Sequence, residues 1–292
     1  MNNIRNGSNV AAADSAALGT AALLIGKTFP AYSAAATRQA RYLLDIASRW
    51  ENGAISHKGT QKELWSDNVF MTPPFLAYYA VASDDLAIMK EALMQPVLYG
   101  QVLAIPKEGN ASTAGLWMHV FNQYRGDHGL WSTGNAWAAM GILRVIATAK
   151  HSRWASSLMS EMSTLKTMVK DVLDATIRFD KAEPNEPLVR NYINVTAYYG
   201  ELAGTTLLAA AAYRAAELDS QMFGKEYVDW ADEKKAIVEA RINPDTGLLA
   251  PVVNPYKWND KIPATQSPEA QCFAMMMYAA ERSLKGAGKM KN

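Results

Sequence analysis

Cysteine is nearly absent: Cys272 is the only one in 292 residues, which excludes an internal disulfide and any multi-cysteine zinc or iron–sulfur site. An excess of charge of either sign is missing too. Lys and Arg number 29 against 28 Asp and Glu, and a formal net charge of +1 supplies no basic footprint for nucleic acid. No nucleic-acid partner is expected. Long hydrophobic runs are also lacking, since the stretch Ala16 to Ile25 is interrupted by Gly19 and Thr20 and is too short to span a bilayer. No membrane partner is expected either. Asn2, Asn3, Asn6, Ser8 and Asn9 stand where a secretory signal would carry a basic region leading into an apolar one. Three Asn-x-Ser/Thr sequons, at Asn6, Asn110 and Asn194, would accept glycans only in a secreted chain.

Strand-like alternation is scarce as well. Ala, Leu, Met, Lys and Glu dominate long segments with apolar residues three and four apart, so the chain reads as all-α. Helices are expected over 14–26, 34–50, 67–82, 85–104, 134–150, 153–178, 201–218, 225–241 and 268–284. The apolar fraction of 49% is ample for a substantial core.

The loops entering the most apolar helices recur. Measured from Trp65, Trp131, Gly200 and Ser267, they lie roughly 65 to 70 residues apart, the length of a helix, a return helix and two connections. Repeated helical hairpins closing into a double-layered barrel would bring the starts of the inner helices to one face. Asp14, Ser66 or Asp67, Ser132 or Thr133, and Ser267 before Pro268 are candidate caps for those helices. Converging N-termini favour an anionic or oxygen-rich ligand. Simple capping accounts for any one of these residues taken alone.

Two segments could carry chemistry. Glu63-Leu-Trp-Ser-Asp67 places an indole beside a carboxylate at a helix start, and Pro73 and Pro74 follow inside the helix, where they should kink it. Gly115-Leu-Trp-Met-His119 is followed by Asp127-His-Gly-Leu-Trp131-Ser-Thr-Gly-Asn-Ala-Trp137. Aromatic faces beside amides and imidazoles are a composition suited to saccharides, although Trp137 fits a helix core equally well.

With these blocks, with Asp14-Ser-Ala-Ala-Leu-Gly, Gly53-Ala-Ile-Ser-His-Lys and Ser267-Pro-Glu-Ala-Gln in the same order, the chain resembles glycoside hydrolase families 88 and 105. These are the unsaturated glucuronyl and rhamnogalacturonyl hydrolases, and the likeness is to their fungal members in particular. The resemblance implies an (α/α)6 six-hairpin toroid forming a single catalytic domain over 1–292, with 1–12 lacking order and 285–292 a tail. It implies hydration of the C4=C5 bond of a terminal unsaturated uronate in short pectin-derived oligosaccharides, with neither metal nor cofactor.

Asp67 matches the family's acid/base and Asp14 its second essential carboxylate. Trp65, His57, His119, Trp131, Thr133, Asn135 and Trp137 would contact the sugar. A neighbouring carboxylate would raise the acid's pKa toward working pH. The family also implies an extracellular enzyme. Bacterial relatives carry Arg where Thr133 stands, and a His before the residue matching Asp14. Twelve helices make the toroid and nine are read, so it is expected to be incomplete at the N-terminal side. An inactive homologue that binds carbohydrate, and a helical-repeat protein that binds another protein, remain alternatives.

Overall fold

The computed structural model describes residues 11–108, 112–124 and 126–289; Asn6 and Asn110 lie outside them, and Asn194 is exposed. Ten α-helices are present among the described residues: α1 (Ala12–Ala17), α2 (Gly19–Gly26), α3 (Pro30–Arg41), α4 (Asn68–Ser83), α5 (Leu86–Leu103), α6 (Ser132–Lys150), α7 (Met159–Ala182), α8 (Leu202–Leu218), α9 (Lys225–Glu239) and α10 (Pro268–Lys289). The first expected helix is split at Leu18 into α1 and α2. The second begins earlier, because Pro30 at the first helical position presets its entry. It ends in one wide turn, Tyr42–Ile46, closed by Ala47 N–H donating to the Tyr42 carbonyl. At the far end, α10 runs on to Lys289 where a tail was read, and Ala11 and Ala12 are buried and ordered.

The helices alternate between two layers. α4 packs on α6, α6 on α8 and α8 on α10, forming an inner series, while α3, α5, α7 and α9 return along the outside against α2, α4, α6 and α8. This is the architecture of an α/α hairpin toroid. Inner helices are apolar nearly all round, as a doubly covered layer requires: α8 buries fourteen of its seventeen residues, from Leu202 to Ala216. Outer α7 and α9 bury a single stripe instead. No helix among the described residues is long and apolar enough to cross a membrane.

Pro73 and Pro74 do not end α4, which runs unbroken from Asn68 to Ser83. Each proline deprives the carbonyl four residues earlier of its donor. Arg144 Nη1 on α6 donates to the Phe70 carbonyl at 3.0 Å and lies over the Phe70 ring. The Val69 carbonyl faces Gly141, where a Cβ would come within 2.2 Å of its oxygen. Only a glycine lets α6 approach α4 this closely. The inner-helix starts are equally tight: a Cβ on Gly134 would lie 2.5 Å from Ser66 Oγ, and one on Gly204 2.4 Å from Ser132 Oγ. The same contact thus repeats from one inner helix to the next.

The only strands among the described residues are β1 (Glu63–Trp65) and β2 (Val120–Asn122), an antiparallel pair with Trp65 opposite Val120. Their pairing joins the two segments that the sequence marks for chemistry.

Candidate active site

Asp67 precedes α4 but does not cap it. Its backbone is already helical and its side chain accepts no capping hydrogen bond, which leaves the carboxylate for other partners. Ser66 Oγ donates to Oδ2 at 3.3 Å, and His119 Nε2 stands 3.3 Å from the same oxygen, at ion-pair distance though out of hydrogen-bond alignment. His119 Nδ1 lies 3.0 Å from Asp127 Oδ2. Asp127 is itself fixed by Trp258 Nε1 at 2.9 Å, by the Tyr192 hydroxyl and by Gly129 N–H. An acid–imidazole–acid chain results. With Nδ1–H committed to Asp127, Nε2 is the nitrogen left on the Asp67 side, 3.3 Å from its carboxylate, the logic by which a third group orients a catalytic base.

The charges follow from this chain. Burial works against ionisation of both Asp67 and His119, but their mutual attraction and the Asp127 contact outweigh it. Asp67 is held below the usual carboxylate range and His119 above the usual imidazole range. The sequence predicts the reverse for Asp67, an acid raised by a carboxylate neighbour. Its partners are two histidines, so the proton of the resting pair sits on His119.

The raised acid is a residue that enters the sequence reading only within the Ser267-Pro-Glu-Ala-Gln block, without a role. Glu269, in the first turn of α10, is pushed up to about 8 by burial, with Asp67 and Glu201 adding to the effect. Its Oε2 is enclosed without a hydrogen-bond partner; its charge at a helix start, within a block that carries the resemblance, was the signal that could have marked it. Glu201 was read only as part of a loop. It is fully buried, accepts from the Ala203 and Gly204 N–H groups at 2.6 and 2.5 Å, and is raised by its burial. Asp67, Glu201 and Glu269 therefore bring three carboxyls to the starts of three inner helices.

Aromatic rings form the walls. Trp65 stacks on His57 with centroids 4.7 Å apart and meets His119 and Trp258 edge-on at 5.4 and 5.6 Å. His57 is buried, its Nδ1 has no partner, and desolvation lowers its pKa to about 4. Trp137 is half-buried between Phe70 and Phe273 and interacts with Glu269. Its position fits both core and wall.

Other expected contact residues lie deeper. Trp131 is 2% exposed, packs beneath His119 and donates to Asn191. Asn135 is fully enclosed: both its N–H bonds go to the Trp117 and Trp131 carbonyls, and its oxygen accepts from Trp117 N–H. It locks the Gly115–His119 segment to α6 and has no donor left for a sugar. Thr133 is also fully buried, and its hydroxyl, like that of Ser132, goes to Glu201 rather than to a helix end. Ser267 does cap α10, accepting from Ala270 N–H at 3.4 Å. Asp14 lies exposed in the first turn of α1, next to Ala13, whose N–H donates to the His57 carbonyl.

A larger cavity, of about 680 Å3, opens at the other end of the inner helices among Leu23, Tyr78, Met140, Leu143 and Met276. It touches none of these groups. No cluster of three or more His, Cys, Asp or Glu side chains is placed to hold a metal ion among the described residues.

Comparison with known proteins agrees with this fold. Among solved structures the chain is similar to a possible member of the GH105 family from Klebsiella pneumoniae, with 20% identity and a TM-score of 0.77 over 93% of this chain and 71% of that one. It is similar to a family 105 glycoside hydrolase from C. acetobutylicum, at 13% identity and a TM-score of 0.74, covering 94% and 79%. The unsaturated glucuronyl hydrolase of Bacillus sp. GL1 aligns at 14% identity and a TM-score of 0.66, covering 91% and 72%. These likenesses establish the six-hairpin α/α toroid fold. No match is found among curated proteins. The sequence matches Glycosyl Hydrolase Family 88 over residues 4–177, which include Asp67, His119, Asp127 and the Trp131 to Trp137 segment, and the chain belongs to that family of hydrolases.

Proposed function

We propose that this chain forms one catalytic domain that hydrates the C4=C5 double bond of a terminal unsaturated uronic acid in short, pectin-derived oligosaccharides. The observation that carries this reading is the Asp67–His119 pair: a carboxylate withheld from helix capping, 14% exposed in its side chain, facing an imidazole aligned by Asp127. Proton delivery to carbon needs an acid within reach of the alkene, and the ensuing attack by water needs a base in the same place. One carboxyl that receives a proton and gives it up can serve both steps.

In the resting pair the proton is on His119. It passes from Nε2 to Asp67, and Asp67 delivers it to C4 while the alkene electrons form the new C–H bond. Positive charge develops at C5 and the ring oxygen, where the Asp67 carboxylate left by the transfer stabilises it. Water adds at C5 and returns its proton to the pair, and the hemiketal opens to release the remaining sugar. Trp65, Trp137 and His57 shape the sugar site in this reading, and Asp14 is its second carboxylate.

Loss of the alkene's ultraviolet absorbance on incubation with an unsaturated digalacturonate tests the proposal. Asp67→Asn is expected to abolish that loss and retain binding; turnover by the variant overturns the mechanism. The second reading, carbohydrate binding without turnover, draws on the burial of Thr133 against Glu201. Saturable binding with unchanged absorbance in the wild-type protein would establish it.

A further inference from the structure

The cavity of about 680 Å3 at the far end of the inner helices takes no part in the chemistry described above, and its volume is that of a small-molecule site. Leu23 and Leu24 of α2, Met140 and Leu143 of α6 and Met276 of α10 form its apolar walls. Leu24 and the neighbouring Val81 are 54% and 47% exposed, so a hydrocarbon laid against them would remove apolar surface from water. The charged part of the lining is of one sign. Lys27, Arg144, His151 and Arg214 reach the cavity, and no Asp or Glu among the described residues does.

Three of these side chains have other roles. Arg214 pairs with Glu217, while Lys27 and His151 follow the ends of α2 and α6, where a basic group offsets the helix dipole. Arg144 has no such account. It lies inside α6, half-buried, and no carboxylate stands at ion-pair distance from it among the described residues. Burial depresses its pKa, opposed only by Tyr78, which lines the same cavity. Nη1 donates to the Phe70 carbonyl at 3.0 Å; Nε and Nη2 have no partner among the described residues, yet neither is enclosed. A guanidinium with accessible, unspent N–H groups and no counter-ion, set in an apolar wall, matches a ligand that brings its own carboxylate.

We propose that this cavity binds a soluble amphipathic carboxylate, its acid group on Arg144 and its hydrocarbon tail along Leu24, Leu143 and Met276. The site is separate from Asp67 and His119, so its test stands whether or not the hydration chemistry does. Calorimetry compares octanoate with 1-octanol, which has the same tail without the charge. The wild type should bind the acid about tenfold more tightly than the alcohol, the scale of a charge-assisted hydrogen bond. Arg144→Gln should remove that preference by weakening the acid alone, and Arg144→Lys should keep it. Because Arg144 also holds the Phe70 carbonyl, a second variant leaves that contact alone: Ala147→Phe, from the cavity wall, should weaken both ligands and melt like the wild type.

A wild-type protein that binds neither ligand, or binds both equally, would overturn the proposal. So would a preference for the acid that survives Arg144→Gln, or octanoate binding that Ala147→Phe leaves intact. Failure of octanoate to bind, together with a dimer that Ala147→Phe breaks, would instead seat a second copy of the chain over the cavity.

Discussion

His57 offers a quantitative test of how the site is built, independent of any substrate. It is 5% exposed, stacked on Trp65, and its Nδ1 has no partner. Burial lowers its pKa from 6.5 to about 4, with Lys58 contributing and Asp67 opposing. The folded protein therefore keeps a neutral ring at pH values where the unfolded chain has already taken up a proton. Between 6.5 and about 4 the unfolded state binds more protons, so stability must fall as the pH falls through that window. At roughly 1.4 kcal/mol per pH unit the complete loss is about 3 kcal/mol, of which about 2 kcal/mol has gone by about pH 5.

Phenylalanine keeps the ring and its stacking but cannot titrate. Urea unfolding of the wild type and of His57→Phe, followed by tryptophan fluorescence at about pH 7 and about pH 5, isolates this group, because other titrations are common to both proteins. The stability difference should move in favour of the variant by about 2 kcal/mol at the lower pH. A difference that stays constant to within about 0.5 kcal/mol would mean that His57 is protonated or solvated in the folded protein, and the described packing against Trp65 would be wrong.

Glu269→Gln tests the acid at the start of α10. Because its folded pKa is raised to about 8, the wild type loses stability as the pH rises from the unfolded carboxyl value toward 8, so the variant should melt higher than the wild type at about pH 8 and lose that advantage near pH 4. Equal melting temperatures throughout would place Glu269 in solvent. Gly141→Ala drives a methyl into the Val69 carbonyl and should cost about 1–3 kcal/mol of unfolding free energy, the scale of overpacking. A loss below about 0.5 kcal/mol would show that α6 and α4 are not held this close.

The helices were legible because their information is local. Apolar residues three and four apart mark α4 through α10 wherever the chain later packs, and the spacing of Trp65, Trp131, Gly200 and Ser267 follows from hairpin length. The segments of Asp67 and His119 were marked through their resemblance, and the β1–β2 pairing brings these two side chains together. The groups that fix their charge were not legible. Asp127 is held by Tyr192 and by Trp258, partners 65 and 131 residues away, and no local pattern carries such a contact. The same blindness inverted the reading of the acid. A carboxylate neighbour was expected to raise Asp67, whereas the β1–β2 pairing sets it against His119, which holds it low, and the raised pKa falls to Glu269. Asn135 looked like a sugar ligand for its polarity and Thr133 through the resemblance, but buried polar groups are also what joins helix starts to one another.

The most direct measurement of the central claim follows the proton. Wild-type protein and Asp67→Asn are incubated with unsaturated digalacturonate in D2O, and the released product is examined by NMR. Delivery by the Asp67–His119 pair predicts one deuteron at C4, placed on a single face, in the wild-type product, and no product from the variant. Product without deuterium at C4, deuterium on both faces, or labelled product from Asp67→Asn would contradict it.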